Sequence, residues 1–96
     1  MSQARGNVPG PKNEHHVTLY ALSTCIWCRR TRRFLERNGV AFDFIYVDLV
    51  QGEEREGVMA EVRRWNPSVS FPTIVVDGSQ SIVGARQEEI GEALGL

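Results

Sequence analysis

The chain has 96 residues, of which 42% are hydrophobic and 24% are charged, and its formal net charge is −1. This length predicts a single small domain, and the ordinary composition predicts a globular protein with a modest core. The near-zero charge argues against nucleic acid or an anionic membrane as a partner, and no apolar stretch approaches the ~20 residues of a membrane span.

The N-terminal residues differ in composition from the rest of the chain. Residues 1–16 read MSQARGNVPGPKNEHH, in which Gly, Pro and polar residues dominate. We therefore predict a disordered segment over residues 1–16 and one folded domain over residues 17–96. The segment contains no apolar run typical of a signal peptide, so we expect a cytoplasmic protein. Thiols are kept reduced in that compartment, which favours catalytic or metal-binding cysteines over a structural disulfide.

A strand followed by a helix opens the predicted domain. Val17–Ala21 is short, alternating and partly β-branched, which predicts the first strand. Over residues 25–38 apolar side chains recur every three or four positions with arginines between them, which predicts a helix. Ser23 and Thr24 are good helix N-cap types, and the Asn-Gly pair that begins at Asn38 is a typical helix stop.

Five further elements follow along the chain. Residues 42–48 are rich in aromatic and β-branched side chains and predict the second strand, and residues 53–65 predict the second helix. Residues 73–76 and 81–83 predict two strands joined at an Asp-Gly hairpin signal, and residues 86–94 predict the last helix. The order β-α-β-α-β-β-α predicts an α/β fold with a four-stranded mixed sheet flanked by helices, the thioredoxin-type topology.

Two cysteines lie at the junction between the first strand and the first helix. Cys25 and Cys28 enclose an Ile-Trp pair. A cysteine attacks a disulfide as its thiolate, and the unpaired N–H groups and dipole of a helix N-terminus favour an anion. We therefore expect Cys25 to be the attacking sulfur. Cys28, deeper on the same helix face, is expected to resolve the mixed disulfide and release the reduced substrate.

Two other uses of the cysteine pair fit the sequence less well. A structural disulfide at this spacing would close too short a loop to stabilise the fold much. A structural zinc site needs four ligands, and besides the two cysteines only His15 and His16 in the predicted disordered segment remain. We interpret those two histidines as ordinary tail residues and predict no metal site.

A proline stands immediately before the third predicted strand. Pro72 follows Phe71, whose backbone the proline pushes toward extended geometry. Opposite a reactive cysteine such a proline could be cis, which leaves the preceding backbone free to pair with an incoming peptide. Without the cysteine motif, a trans proline at the first position of a strand is the simpler interpretation.

Together these features resemble the glutaredoxin family over about residues 17–94. The three segments that carry the resemblance are Thr24–Cys28, Ser70–Thr73 and Val83–Ala85. The resemblance implies that Cys25 is the nucleophile, that Cys28 resolves, and that Pro72 is cis. It also implies a groove for glutathione or a substrate peptide. The residues expected to line that groove are Thr24, Ile26, Trp27, Phe71, Pro72, Gly84, Ala85 and Arg86.

The chain departs from the family pattern at positions that hold glutathione. Members usually carry Lys or Arg three residues before the first cysteine, where this chain has Leu22. Their Gly-Gly-x-Asp turn is here Val83-Gly84-Ala85-Arg86, with a base near the place of the acid. The turn, with Ile90 following, is closer to the small redoxins that serve ribonucleotide reductase and are recharged by a thioredoxin-reductase-type flavoprotein. We therefore expect weak glutathione binding.

Three residues near the cysteines, Trp27, Arg29 and Arg30, each have two interpretations. Trp27 either shields the cysteines and contacts a partner or belongs to the core at the start of the helix. Arg29 and Arg30 either hold an acidic partner and favour the thiolate, or form a solvated basic face.

The sequence thus predicts a glutaredoxin-like thiol–disulfide oxidoreductase that reduces protein or small disulfides through Cys25 and Cys28. We expect no tightly bound cofactor, with glutathione as one candidate reductant and a thioredoxin-reductase-type flavoprotein as the other. We expect disulfide-containing proteins as substrates and neither nucleic acid nor membrane as partner. The alternative function is a glutathione-dependent iron–sulfur cluster binding or carrier protein.

Overall fold

The computed structural model describes residues 4–96, which form one five-stranded mixed sheet and three α-helices. The strands are β1 (Arg5–Val8), β2 (Val17–Ala21), β3 (Phe42–Tyr46), β4 (Thr73–Val76) and β5 (Gln80–Val83). The helices are α1 (Ile26–Arg37), α2 (Gly52–Trp65) and α3 (Gln87–Leu94), and a 3-10 turn spans Val47–Leu49. None of the helices in this described range is long and apolar enough to span a membrane.

The strands lie in the order β1-β3-β2-β4-β5. Strands β2 and β3 are parallel, as expected when a helix connects them, and the other three neighbouring pairs are antiparallel. The turn between β4 and β5 contains Asp77 and Gly78 with φ of 56° and 60°. Asp and Gly tolerate this left-handed region, which confirms the predicted hairpin.

Alternating residues of the strands supply a core on each face of the sheet. The first core cluster joins the sheet to α1 and α3. Its buried members are Val17, Leu19, Ala21, Cys28, Leu35, Val40, Phe42, Phe44, Ile74, Val76, Ile82, Ile90 and Leu94. The second core cluster joins the opposite face to α2. Its buried members are Tyr20, Val47, Val50, Val58, Val62 and Val75. The predicted class, an α/β fold of thioredoxin-type topology, is confirmed.

The prediction of a disordered segment over residues 1–16 is wrong for β1. Arg5–Val8 pairs antiparallel with β3, so the sheet has five strands instead of four. This pairing satisfies the outer backbone groups of β3, which would otherwise be an exposed edge. Arg5 also pairs with Glu54 on α2 at 2.8 Å. Residues 1–3, the start of the predicted segment, lie outside the described residues.

His15 and His16 are also held by the folded domain. The Nδ1 atom of His15 lies 2.7 Å from a carboxylate oxygen of Asp77, and the backbone N–H of His16 donates to the same carboxylate at 2.8 Å. The imidazole of His16 lies 3.1 Å from the carboxylate of Asp43 on β3. The interpretation of the two histidines as ordinary tail residues is therefore wrong.

Candidate active site

Cys25 is the N-cap of α1, in place of the predicted Ser23 or Thr24. Its Sγ accepts a hydrogen bond from the backbone N–H of Cys28 at 3.1 Å, the bond that an Asp or Ser oxygen makes at other helices. The sulfur is half-buried, and both cysteines are free thiols. A hydrogen bond donated to sulfur at the positive end of a helix dipole stabilises a negative charge there. The geometry therefore favours Cys25 as the nucleophile.

Cys28 has a different environment, although it lies one helical turn away. Its side chain is only 2% exposed and belongs to the first core cluster. The pKa of Cys28 is raised to about 12, mainly because the thiol is buried and to a lesser extent because of a side-chain hydrogen bond with Cys25. A hydrogen bond with the backbone of Leu22 lowers the pKa by a smaller amount. Cys28 is therefore a protonated thiol near neutral pH, which suits a second, resolving step.

An acid that follows β3 in the chain holds the loop that precedes Cys25. The carboxylate of Asp48, in the 3-10 turn after β3, accepts hydrogen bonds from the backbone N–H of Ser23 at 2.9 Å and from its hydroxyl. Burial acts to raise the pKa of Asp48, but these Ser23 bonds and the nearby Arg55 outweigh it and lower the pKa. The negative charge of Asp48 also contributes to the raised pKa of Cys28.

The proline loop lies beside a tight glycine turn. The peptide bond between Phe71 and Pro72 is cis, as the family resemblance implies. The carbonyl of Pro72 accepts a hydrogen bond from the backbone N–H of Gly84 at 2.8 Å, which joins the two predicted groove segments. Gly84 has φ of 95°, a conformation that side-chain-bearing residues rarely adopt. Phe71 packs against both core clusters, and Cys25 packs against the first.

Asn66 anchors this proline loop from the end of α2. It is 3% exposed, and its Nδ2 donates to the carbonyl and hydroxyl of Ser70 and to the hydroxyl of Thr73, each at 3.0 Å. Neither Asn66 nor Asp48 is among the site residues predicted from the sequence. An Asn-Pro pair after a helix and an Asp at the end of a strand were the available signals.

The remaining predicted groove residues lie at the surface around these segments. Ile26 and Trp27 are 54% and 55% exposed, so the core interpretation of Trp27 is wrong. Thr24 is exposed and Ala85 is half-buried. Arg86 is exposed, but its Nε donates to the carbonyl of Val83 at 3.1 Å and its guanidinium pairs with Glu89 at 3.2 Å. Their contribution to substrate binding stays a prediction.

The fold and this site together define a thioredoxin-fold redox protein. A βαβ unit precedes an antiparallel hairpin, a Cys-x-x-Cys pair begins the first helix, and a cis proline precedes β4. Residues 17–80 match the glutaredoxin family model. The chain therefore belongs to the glutaredoxin family.

Individual proteins show the same relationship. The chain is similar to the crystal structure of the glutaredoxin from Methanosarcina mazei Go1, with 45% identity and a TM-score of 0.91 over 98% of this chain and 90% of that one. It is similar to methanoredoxin from Methanosarcina acetivorans, with 42% identity and a TM-score of 0.84 over 88% of each chain. A glutaredoxin-like 8.6 kDa protein of the Clostridium pasteurianum rubredoxin operon is 30% identical over 79 residues, which cover 81% of this chain and 96% of that protein.

Proposed function

We propose that the protein reduces protein disulfides and small disulfides through a dithiol cycle of Cys25 and Cys28. The observation that carries the proposal is the 3.1 Å hydrogen bond from the Cys28 backbone N–H to the half-buried Cys25 sulfur. This hydrogen bond stabilises the thiolate form of the accessible Cys25 sulfur. The Cys28 thiol lies buried one helical turn further along α1. Exposed Trp27 and the Pro72 loop offer the neighbouring surface to a substrate.

The cycle proceeds in two exchanges. The Cys25 thiolate attacks one sulfur of the substrate disulfide, forms a mixed disulfide and releases the other substrate sulfur as a thiolate. Cys28 then loses its proton and attacks the Cys25 sulfur, which releases the second substrate thiolate. Two electrons pass to the substrate, the protein keeps a Cys25–Cys28 disulfide, and the Cys28 proton and one solvent proton complete the two substrate thiols.

The reductant that restores the dithiol is proposed to be a thioredoxin-reductase-type flavoprotein, with glutathione a poor substitute. Leu22 is apolar and packs against the second core cluster, so its side chain offers no charge to a glutathione carboxylate. Arg86, near the position of the family's acid, already pairs with Glu89. The Clostridium relative is encoded with rubredoxin, an association consistent with a redox partner for such proteins.

Single-turnover reduction of insulin separates the two cysteines. Prereduced wild type should reduce insulin and hydroxyethyl disulfide stoichiometrically, and Cys25→Ser should reduce neither. Cys28→Ser should lose release of reduced insulin and accumulate the mixed disulfide, which mass spectrometry detects. Full activity of Cys25→Ser would overturn the assignment of the nucleophile.

The choice of reductant is tested in multiple turnover. Wild type is assayed with hydroxyethyl disulfide, recharged in parallel by glutathione with glutathione reductase and by NADPH with thioredoxin reductase. We expect turnover with the flavoprotein and little with glutathione. Efficient turnover with glutathione alone would contradict the proposed reductant but leave the cysteine cycle intact.

A further inference from the structure

The exposed face of α1 carries arginines that have no acidic partner. Arg29, Arg30, Arg33 and Arg37 are all exposed on this helix. Within residues 4–96 only Arg32 of α1 forms an ion pair, with Glu36 at 3.4 Å. Arg29 and Arg33, and likewise Arg33 and Arg37, are four residues apart, where like charges repel each other on a helix. The stability of the fold therefore does not explain why α1 carries these closely spaced arginines.

The other two helices distribute their charges as the helix dipole favours. Acids occupy the first turn of α2 (Glu53 and Glu54) and of α3 (Glu88 and Glu89). The first turn of α1 contains no acid, and arginines begin directly after Cys28. The chain as a whole carries a net charge of −1. Its charges are therefore unevenly distributed, with positive charge concentrated on α1 and acids on α2 and α3.

Two large apolar side chains lie within the same face, beside the nucleophile. Ile26 and Trp27 directly follow Cys25 and are more than half exposed. The guanidinium of Arg30 lies 4.8 Å from the centroid of the Trp27 ring, which holds both side chains in one orientation. Trp and Arg are the residues most enriched among those that dominate the affinity of protein interfaces. We name the surface formed by Ile26, Trp27, Arg29, Arg30 and Arg33 the arginine face.

We propose that the arginine face binds an acidic segment of the substrate protein, with Trp27 in contact with an apolar residue of that segment. This proposal rests on the dithiol function above and adds the class of substrate. From Cys25 to Arg33 the helix rises roughly 12 Å, at about 1.5 Å per residue. An extended peptide covers that distance in about four residues. The acids of the partner should therefore lie within about two to five residues of the cysteine that Cys25 attacks.

Three synthetic peptides with the same internal disulfide test this inference. They differ only at positions two to five from the attacked cysteine, which are Glu in the first, Gln in the second and Lys in the third. Single-turnover rates with prereduced protein are measured by stopped flow, and each is divided by the rate of the same peptide with dithiothreitol. This division removes differences in the intrinsic reactivity of the three disulfides.

For wild type at about 20 mM ionic strength we expect the Glu peptide to react at least ~10-fold faster than the Lys peptide. This ratio of the Glu-peptide rate to the Lys-peptide rate should be smaller at about 500 mM ionic strength, where salt screens the charges. Arg29→Gln/Arg33→Gln should lower the ratio at least ~3-fold, while Arg63→Gln/Arg64→Gln, which removes the same charge from α2, should preserve it. Circular dichroism checks that both variants fold, and the salt dependence of wild type tests the proposal independently of either variant.

The outcomes separate this proposal from the function on which it rests. Equal rates for the three peptides would overturn acidic recognition but support the dithiol cycle. A ratio that falls equally in both double variants would indicate a general field of the molecule and would also overturn binding at the arginine face. Failure of wild type to reduce any peptide would overturn the dithiol cycle itself.

Discussion

At the scale of single residues, the two sulfurs differ in environment as their proposed roles require. Cys25 is half-buried at a helix N-cap and accepts an amide hydrogen bond, so its charged form is stabilised. Cys28 lies in the core, where burial raises the pKa to about 12. A thiol that stays protonated until the mixed disulfide has formed does not compete with Cys25 for the substrate. The negative charge of Asp48 contributes to the raised pKa of Cys28.

We predict that Asp48→Asn lowers the pKa of Cys28. Asp48 acts electrostatically to raise that pKa, so its neutralisation stabilises the Cys28 thiolate, while the Asn side-chain oxygen still accepts a hydrogen bond from Ser23. The measurement is the pH dependence of thiolate absorbance in Cys25→Ser and in Cys25→Ser/Asp48→Asn. Asp43→Asn in the same background is the matched control, because Asp43 pairs with His16 and Asn7 instead. Equal Cys28 titration in all three proteins would contradict the prediction.

At the scale of secondary structure, β1 depends on close approach to its neighbour. Gly6 lies opposite Phe44 in the β1–β3 pair, and a Cβ at Gly6 would lie 2.8 Å from the Phe44 ring. That ring is also held by the guanidinium of Arg32 at 4.3 Å and by Tyr46 at 5.3 Å. The ring therefore has little freedom to move away, and the absence of a side chain at Gly6 is a packing requirement.

Two glycine-to-alanine substitutions should change stability in opposite directions. Gly6→Ala should lower the free energy of unfolding by about 1–3 kcal/mol, because the added methyl overpacks the Phe44 ring. Gly57→Ala, on exposed helix α2 with nothing within 4 Å of the added Cβ, should raise it by about 0.5–1 kcal/mol. Urea unfolding measures both. A stabilising Gly6→Ala would mean that β1 does not pack on β3 in solution.

At the scale of the whole molecule, His15 and His16 tie the N-terminal segment to the turn between β4 and β5. Asp77, in the turn between β4 and β5, contacts both residues. Two hydrogen bonds lower the pKa of Asp77: the larger effect comes from the side chain of His15 and the smaller from the backbone N–H of His16. A carboxyl whose pKa is lower in the folded state stabilises that state above its unfolded pKa and loses this contribution as the pH falls.

Acid unfolding should therefore reveal the Asp77 contact. We expect wild type to be more stable than Asp77→Asn at neutral pH, with the difference shrinking as the pH falls below about 4. Asn tolerates the positive φ of this turn position, so the hairpin is retained. His15→Ala, which removes the main cause of the lowered pKa, should show the same trend. A stability difference that is constant from pH 7 to the acid limit would contradict this prediction.

The sequence by itself determined the elements whose signals are local. Strand β2, helix α1 and the Asp77-Gly78 hairpin follow from periodicity and turn chemistry within a few residues, and the Cys25–Cys28 pair follows from its place between a strand and a helix. Periodicity and turn preference act over short sequence distances, so they can be interpreted without knowledge of the fold. The family resemblance then implied that Pro72 is cis, which the structure confirms.

Only the tertiary structure decided features that depend on distant partners. β1 has weak strand propensity and exists because β3, more than thirty residues away, offers an unpaired edge. Ser23 could have capped α1, but Asp48 accepts both of its hydrogen bonds, so the sulfur of Cys25 caps the helix instead. The position of Cys25 as the helix cap thus depends on a carboxylate in the turn after β3, which no pattern around the cysteines indicates.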